Sequence, residues 1–147
     1  MVDIHQILDS DDSKVNFIKG LIYLSKAEEL EKGIKGINME ELGYLNNAMV
    51  ALNIDELKRK QLESLIYLNS IELDISFKSK RQAVFFLREG IQICCIDGQY
   101  SQAEKDLVYR MASVLGINKS MVANLEEWVS EGIEWSNRGE KFLELEG

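Results

Sequence analysis

Proline is missing from all 147 residues of this chain, where average usage of about 5 % would place roughly seven. Proline removes a backbone donor and clashes with the preceding turn, so its absence suits a run of closely connected helices. Histidine occurs once, as His5, and cysteine twice, as the adjacent pair Cys94 and Cys95. With no Cys-x-x-Cys, that scarcity argues against zinc. It also argues against Cys–His nucleophilic chemistry, which would need His5 to reach a core helix. Neighbouring cysteines on a helix point to different faces and do not form an ordinary disulfide, so both read as buried, reduced thiols. No apolar run approaches the roughly 18 residues of a membrane span. The start Met1-Val2-Asp3-Ile4-His5 has no basic secretory region. The expectation is a cytoplasmic protein with no membrane insertion. Basic charge is scarce as well, 17 Lys and Arg against 25 Asp and Glu, for a net charge of −8. A nucleic-acid surface needs clustered Lys and Arg, and Lys58-Arg59-Lys60 and Lys78/Lys80/Arg81 read as helix starts or solvated faces. No glycine-rich phosphate loop is present, and nothing in the sequence signals a catalytic cleft. No enzyme is expected.

What the chain does contain is a copy of itself. Asn38, Glu41, Leu45, Leu52 and Ile54 match Ser101, Glu104, Val108, Leu115 and Ile117 at a constant spacing of 63 residues. Upstream, Val15, Phe17, Ile18, Lys19, Ile22, Leu24 and Glu28 match Val84, Phe86, Leu87, Arg88, Ile91, Ile93 and Asp97 at a spacing of 69. The difference places about six extra residues in the first copy, within Glu29–Lys35. Internal repeats of this size mark stacked supersecondary units.

The helical pattern repeats with the residues. Residues 13–27 are apolar on most sides, which implies a buried helix. Asn38 with Glu41 three residues on opens a second helix in capping-box fashion, with Leu42, Leu45, Met49 and Leu52 spaced by three and four. Asp55 caps a third, with Leu62, Leu65 and Ile66 facing in. Ile71, Leu73, Ile75 and Phe77 then alternate with polar residues, a strand signal with no second strand to pair with. It reads as a frayed helix end or an extended connector between the halves. Ser79 with Gln82 starts the second copy, whose first helix runs to Ile96. Asp97-Gly98 marks a turn, Ser101 with Glu104 caps the next helix, and Gly116 stops it. A last helix over 119–136 sets Leu125, Trp128, Val129, Gly132 and Trp135 on one stripe. Trp135 and Phe142 either pack the C-terminal segment back onto the body or form an exposed docking patch with Trp128. Glutamates dominate the C-terminal end, seven over 126–146 against Arg138 and Lys141, and a solvated acidic end fits them. Three-helix units too thin to bury their own apolar faces should pack together. The expected fold is an all-α, single-domain bundle of six to seven helices over 1–147. It is built from two pseudo-symmetric three-helix halves, about 13–69 and 82–136.

Each copy also places one acid where a helix ends and another where the next begins: Glu28 and Glu41, Asp97 and Glu104. In the second copy the two acids are seven positions apart. Ca²⁺, Mg²⁺ and Mn²⁺ favour oxygen ligands, so such junction carboxylates supply part of a shell. The EF-hand pattern is absent. Structural capping explains Ser101 and Glu104 equally well, because Ser101 accepts from free N–H groups and Glu104 reaches back to the cap. Both readings stay open.

The stretch Ile96-Asp97-Gly98, followed by Ser101-x-x-Glu104 and a helix ending Leu115-Gly116-Ile117, resembles the tellurite-resistance TerB-like family. The first copy echoes it in Ala27-Glu28, Asn38-x-x-Glu41 and Leu52-Asn53-Ile54, with Lys35-Gly36 where the second copy has Asp97-Gly98. The resemblance spans about residues 13–130. It implies a small helical, non-enzymatic module of stress response, with Asp97, Glu104, Glu28 and Glu41 as candidate ligands of a divalent cation. The alternative is a metal-free adaptor that holds an unidentified protein partner through Trp128, Trp135 and the acidic end, since aromatic residues anchor such interfaces.

Overall fold

The computed structural model describes residues 3–31, 37–68, 70, 72–95 and 100–144, the side chains of 28–31 excepted. Within them the chain forms α1 (Ile4–Ile7), α2 (Asp11–Glu31), α3 (Met39–Ala51), α4 (Glu56–Leu65), α5 (Lys80–Cys95), α6 (Gln102–Val114) and α7 (Lys119–Lys141). A 3-10 turn, Phe142–Glu144, follows. No strand occurs among the described residues. The fold is an all-α bundle, and no described helix is long and apolar enough to cross a membrane.

The duplication is visible in the backbone itself. α3 and α6 have 13 residues each. They begin at matching caps, Asn38 and Ser101, and end at Leu52 and Leu115. Beyond those ends the chain turns left-handed at matching positions, with φ 56° at Asn53 and 76° at Gly116. The Ile54 N–H then donates to Met49 O at 3.2 Å, and the Ile117 N–H to Ala112 O at 2.8 Å. With the Asn53 N–H donating to Val50 O at 3.0 Å and the Gly116 N–H to Ser113 O at 3.2 Å, each end is a Schellman motif, closed by a buried isoleucine, Ile54 or Ile117. The following helices start at matching caps, Asp55 and Asn118. The first helices of the copies match too: Ser10 Oγ accepts from the Ser13 N–H at 3.1 Å, and Ser79 Oγ from the Gln82 N–H at 3.2 Å.

Close packing of α2 on α5 joins the halves. A Cβ on Gly20 would overlap the buried Phe86 ring, and one on Gly90 would overlap Leu24. Glycine at both places lets the two helices approach at the crossing. Phe17 stacks on Phe85, with centroids 5.4 Å apart, and meets Phe86 edge-on at 6.3 Å, geometries that aromatic quadrupoles favour. The symmetry is incomplete. α2 packs extensively on α6 as well, whereas α5 has no comparable contact with α3 among the described residues. Its breadth of apolar residues makes α2 the central helix, with Ile18, Leu21, Ile22 and Leu24 fully buried.

That central position buries Lys26 completely. Its ammonium donates to Leu65 O at 2.6 Å and Leu68 O at 2.5 Å, at the C-terminal end of α4, where a cation meets the negative end of the helix dipole. Burial holds this lysine's pKa below its usual value.

Residues 72–77 form neither helix nor strand, as the connector reading expects; Ile71 lies outside the described residues. The alternation arises because the segment lies on α2. Ile75 is buried, and Leu73 and Phe77 pack against the core. On the other side of the segment the Ser76 N–H donates to Asn16 Oδ1 at 3.1 Å. Asp74 accepts from Lys19 at 3.1 Å and from the Tyr23 hydroxyl at 3.0 Å.

Candidate functional site

The junction acids sit where helix physics favours them. In α6 the Ser101 Oγ accepts from the Glu104 N–H at 3.1 Å, and Glu104 Oε1 accepts from the Ser101 N–H at 2.9 Å, a complete capping box. In α3 the Asn38 Oδ1 accepts from the Glu41 N–H at 2.8 Å. Both glutamates lie in the first turn of their helices, against the positive end of the dipole. Both are withdrawn from water, Glu41 2 % and Glu104 1 % exposed.

The charges of both copies' acids are felt at Cys94, whose thiol is fully buried on α5. Burial raises its pKa well above the ordinary thiol range, and so do the charge of Glu104, a hydrogen bond to that carboxylate, the neighbouring Cys95 and the charge of Glu41. Cys95, expected in the core, is only partly buried. Asp97, the Glu28 side chain, Lys35 and Gly36 lie outside the described residues. Among the described residues, no group of three or more His, Cys, Asp or Glu is placed to hold a metal ion.

A second polar cluster flanks this junction and went unread in the sequence. The Tyr109 hydroxyl of α6 donates to Glu126 Oε1 of α7 at 2.7 Å, and Lys105 Nζ lies 3.8 Å from Glu126 Oε2. Glu126 accepting that proton pushes the Tyr109 pKa up to about 12. Burial, with Glu126 beside it, raises Tyr100 further. Glu126 looked like one more residue of a solvated acidic end. Its one distinguishing signal is a place one turn after Val122, on the side of α7 that faces α6.

The C-terminal half of α7 leaves the bundle. Every described residue from Ser130 to Glu144 is exposed, so Trp135 and Phe142 do not pack back onto the body. Tyr44, Gln92 and Cys95 of the bundle face Gly132, Ile133, Ser136 and Asn137 across a groove, but neither Trp135 nor Phe142 lines it. Trp128 is 49 % exposed and Trp135 73 %. Trp128 is tied to the bundle on one side, where the Arg88 guanidinium lies 5.2 Å from its ring centroid and 5.2 Å from that of Phe85, within cation–π range. Beside it, Tyr44, Gln92, Cys95, Trp128 and Ile133 line an open groove of about 590 Å³. The structure thus separates the candidate residues: Glu41 and Glu104 are buried inside the bundle, and Trp128 and Trp135 stand on its outside.

Comparison with protein families, curated proteins and solved structures returns no match. The fold and the site define an all-helical bundle with a projecting amphipathic helix.

Proposed function

We propose that this chain is a non-enzymatic interaction module that holds a protein partner with the apolar face of α7. The observation that carries the reading is the exposure of Trp128 and Trp135 on α7 and of Phe142 and Leu143 in the 3-10 turn that follows it. Monomeric proteins rarely leave a contiguous apolar patch uncovered, and large ones mark interaction sites. Tryptophan is a preferred anchor of such interfaces. Hydroxyl-radical footprinting tests it, comparing the dilute purified chain with the chain in lysate of its own cells. Trp135 and Phe142 should be labelled in the first and protected in the second. Equal labelling in both contradicts the reading.

A second reading is favoured by the burial of Glu41 and Glu104 in the opening turns of matching helices. On it, the module is TerB-like and acts in stress response, with a divalent cation held by these carboxylates together with Glu28 and Asp97. An ion that binds the folded state alone would stabilise it by about 2.7 kcal/mol at 100 times its dissociation constant. Melts with and without Ca²⁺, Mg²⁺ or Mn²⁺ should then show a rise that Asp97→Asn with Glu104→Gln abolishes. No rise removes the ion.

A further inference from the structure

The apolar face of α7 has a pattern that names its occupant. Trp128, Gly132, Trp135, Gly139 and Phe142 follow one another at alternating steps of four and three, the spacing of a seam that faces a second helix. Large and minimal residues alternate along it, aromatic rings at one heptad position and glycines at the other, with Leu125 preceding. A Cβ on Gly132 or Gly139 would meet nothing within 4 Å, so the bundle itself gives no reason for either glycine. Glycine within an exposed helix is destabilising by about 1 kcal/mol relative to alanine. A helical segment of this length without tertiary packing is itself marginal in water. Both features make sense if another helix lies along the seam.

We propose that the occupant is a second copy of this chain, its α7 running antiparallel to the first about a two-fold axis. In that register Trp128 lies over Gly139 of the other copy and Trp135 over its Gly132, while Phe142 meets Leu125. Each tryptophan ring then fills the space that a glycine leaves, in both copies at once, as a self-complementary two-fold contact requires. The flanking charges agree. Glu131 and Arg138, both exposed, occupy the edge of the seam, and the antiparallel register sets Glu131 of each copy beside Arg138 of the other. A parallel pair would stack tryptophan on tryptophan and leave gaps between facing glycines. It would also set Glu131 beside Ser136. Glu127, Glu134 and Lys141 fall at outer positions in either arrangement. The contact runs from Leu125 to Phe142, about 27 Å of helix at ~1.5 Å per residue.

This inference rests on α7 being a docking face and adds what docks there. Sedimentation or light scattering of the full chain at high micromolar concentration tests it, with circular dichroism confirming that each variant is folded. The wild type should be a dimer. Arg138→Glu, which sets like charges together twice, should weaken it at least tenfold, and Gly139→Leu should do the same without lowering helix content. Glu131→Arg added to Arg138→Glu restores opposite charges in the antiparallel register alone, so the double variant should dimerise again. A monomeric wild type, a dimer indifferent to Arg138→Glu or Gly139→Leu, or a double variant that stays monomeric overturns the proposal. Protection of Trp135 in lysate beside a monomeric purified chain would overturn self-pairing and leave the docking reading in place.

Discussion

Asn53 and Gly116 occupy the same left-handed position, one residue past the ends of two matching helices, and only one of them is glycine. Left-handed backbone costs a residue with a Cβ about 1–2 kcal/mol, and asparagine tolerates it better than most. Gly116→Ala should therefore lower the unfolding free energy by about 1–2 kcal/mol, read by urea denaturation. Gly116→Asn should lose clearly less, since the first copy already works with asparagine. Equal losses would show that something other than φ sets the requirement.

The α2–α5 crossing makes a prediction that runs against helix propensity. Gly20→Ala adds a better helix former, yet its methyl would meet the buried Phe86 ring. Overpacking a filled core costs typically about 1–3 kcal/mol. Gly43, on the exposed side of α3, has nothing within 4 Å of a built Cβ, so Gly43→Ala should stabilise by about 0.5–1 kcal/mol. Chemical denaturation of the two variants should give opposite signs.

Lys26 should prove structural. Lys26→Met keeps an unbranched apolar stem and removes the ammonium, leaving Leu65 O and Leu68 O without their buried donor. An orphaned buried polar group costs about 1–3 kcal/mol, and a loss in that range is expected in urea. The desolvation of the buried charge opposes that loss, so an unchanged or raised stability would mean that desolvation outweighs the two hydrogen bonds.

Two carboxylates should bend the pH–stability curve in opposite directions. Burial alone would raise Asp74, but Lys19 and Tyr23 hold its pKa below the ordinary carboxylate value. Its contribution is therefore complete above that ordinary value and is lost as pH falls through the depressed one. Glu89 is raised by burial, against the pull of Arg88. The folded chain then keeps the proton longer than the unfolded one, so stability falls as pH rises from the ordinary value through the raised one. Asp74→Asn should flatten the acid limb, and Glu89→Gln the decline just above it, in melts across the acid range.

Local chemistry was legible in the sequence wherever it acts within a few residues. Asn38, Asp55 and Ser101 each cap the helix that follows, as their spacing expects. The alternation of Ile71 to Phe77 was legible as a pattern but not as a structure. Its described part, residues 72–77, is held on α2 by the bonds of Asp74 and Ser76 to Lys19, Tyr23 and Asn16, more than fifty residues away. Lys26 and Glu126 were illegible for the same reason: one of three lysines in an apolar helix and one glutamate among seven acquire meaning only from α4 and α6. Trp135 and Phe142 left two readings because an apolar stripe has the same spacing whether its own chain or another covers it.

On the proposed reading, the bundle carries folding and the projecting half of α7 carries binding. The most direct measurement is the urea unfolding of the chain truncated after Gly132, beside the full chain, at concentrations low enough to keep both unassociated. Because every described residue beyond Val129 is exposed, the two should agree within about 0.5 kcal/mol, the usual range for surface changes, while the truncated chain loses association. A truncated chain that unfolds, or that loses several times that amount, would show that this half of α7 belongs to the core, contradicting its role as a docking face.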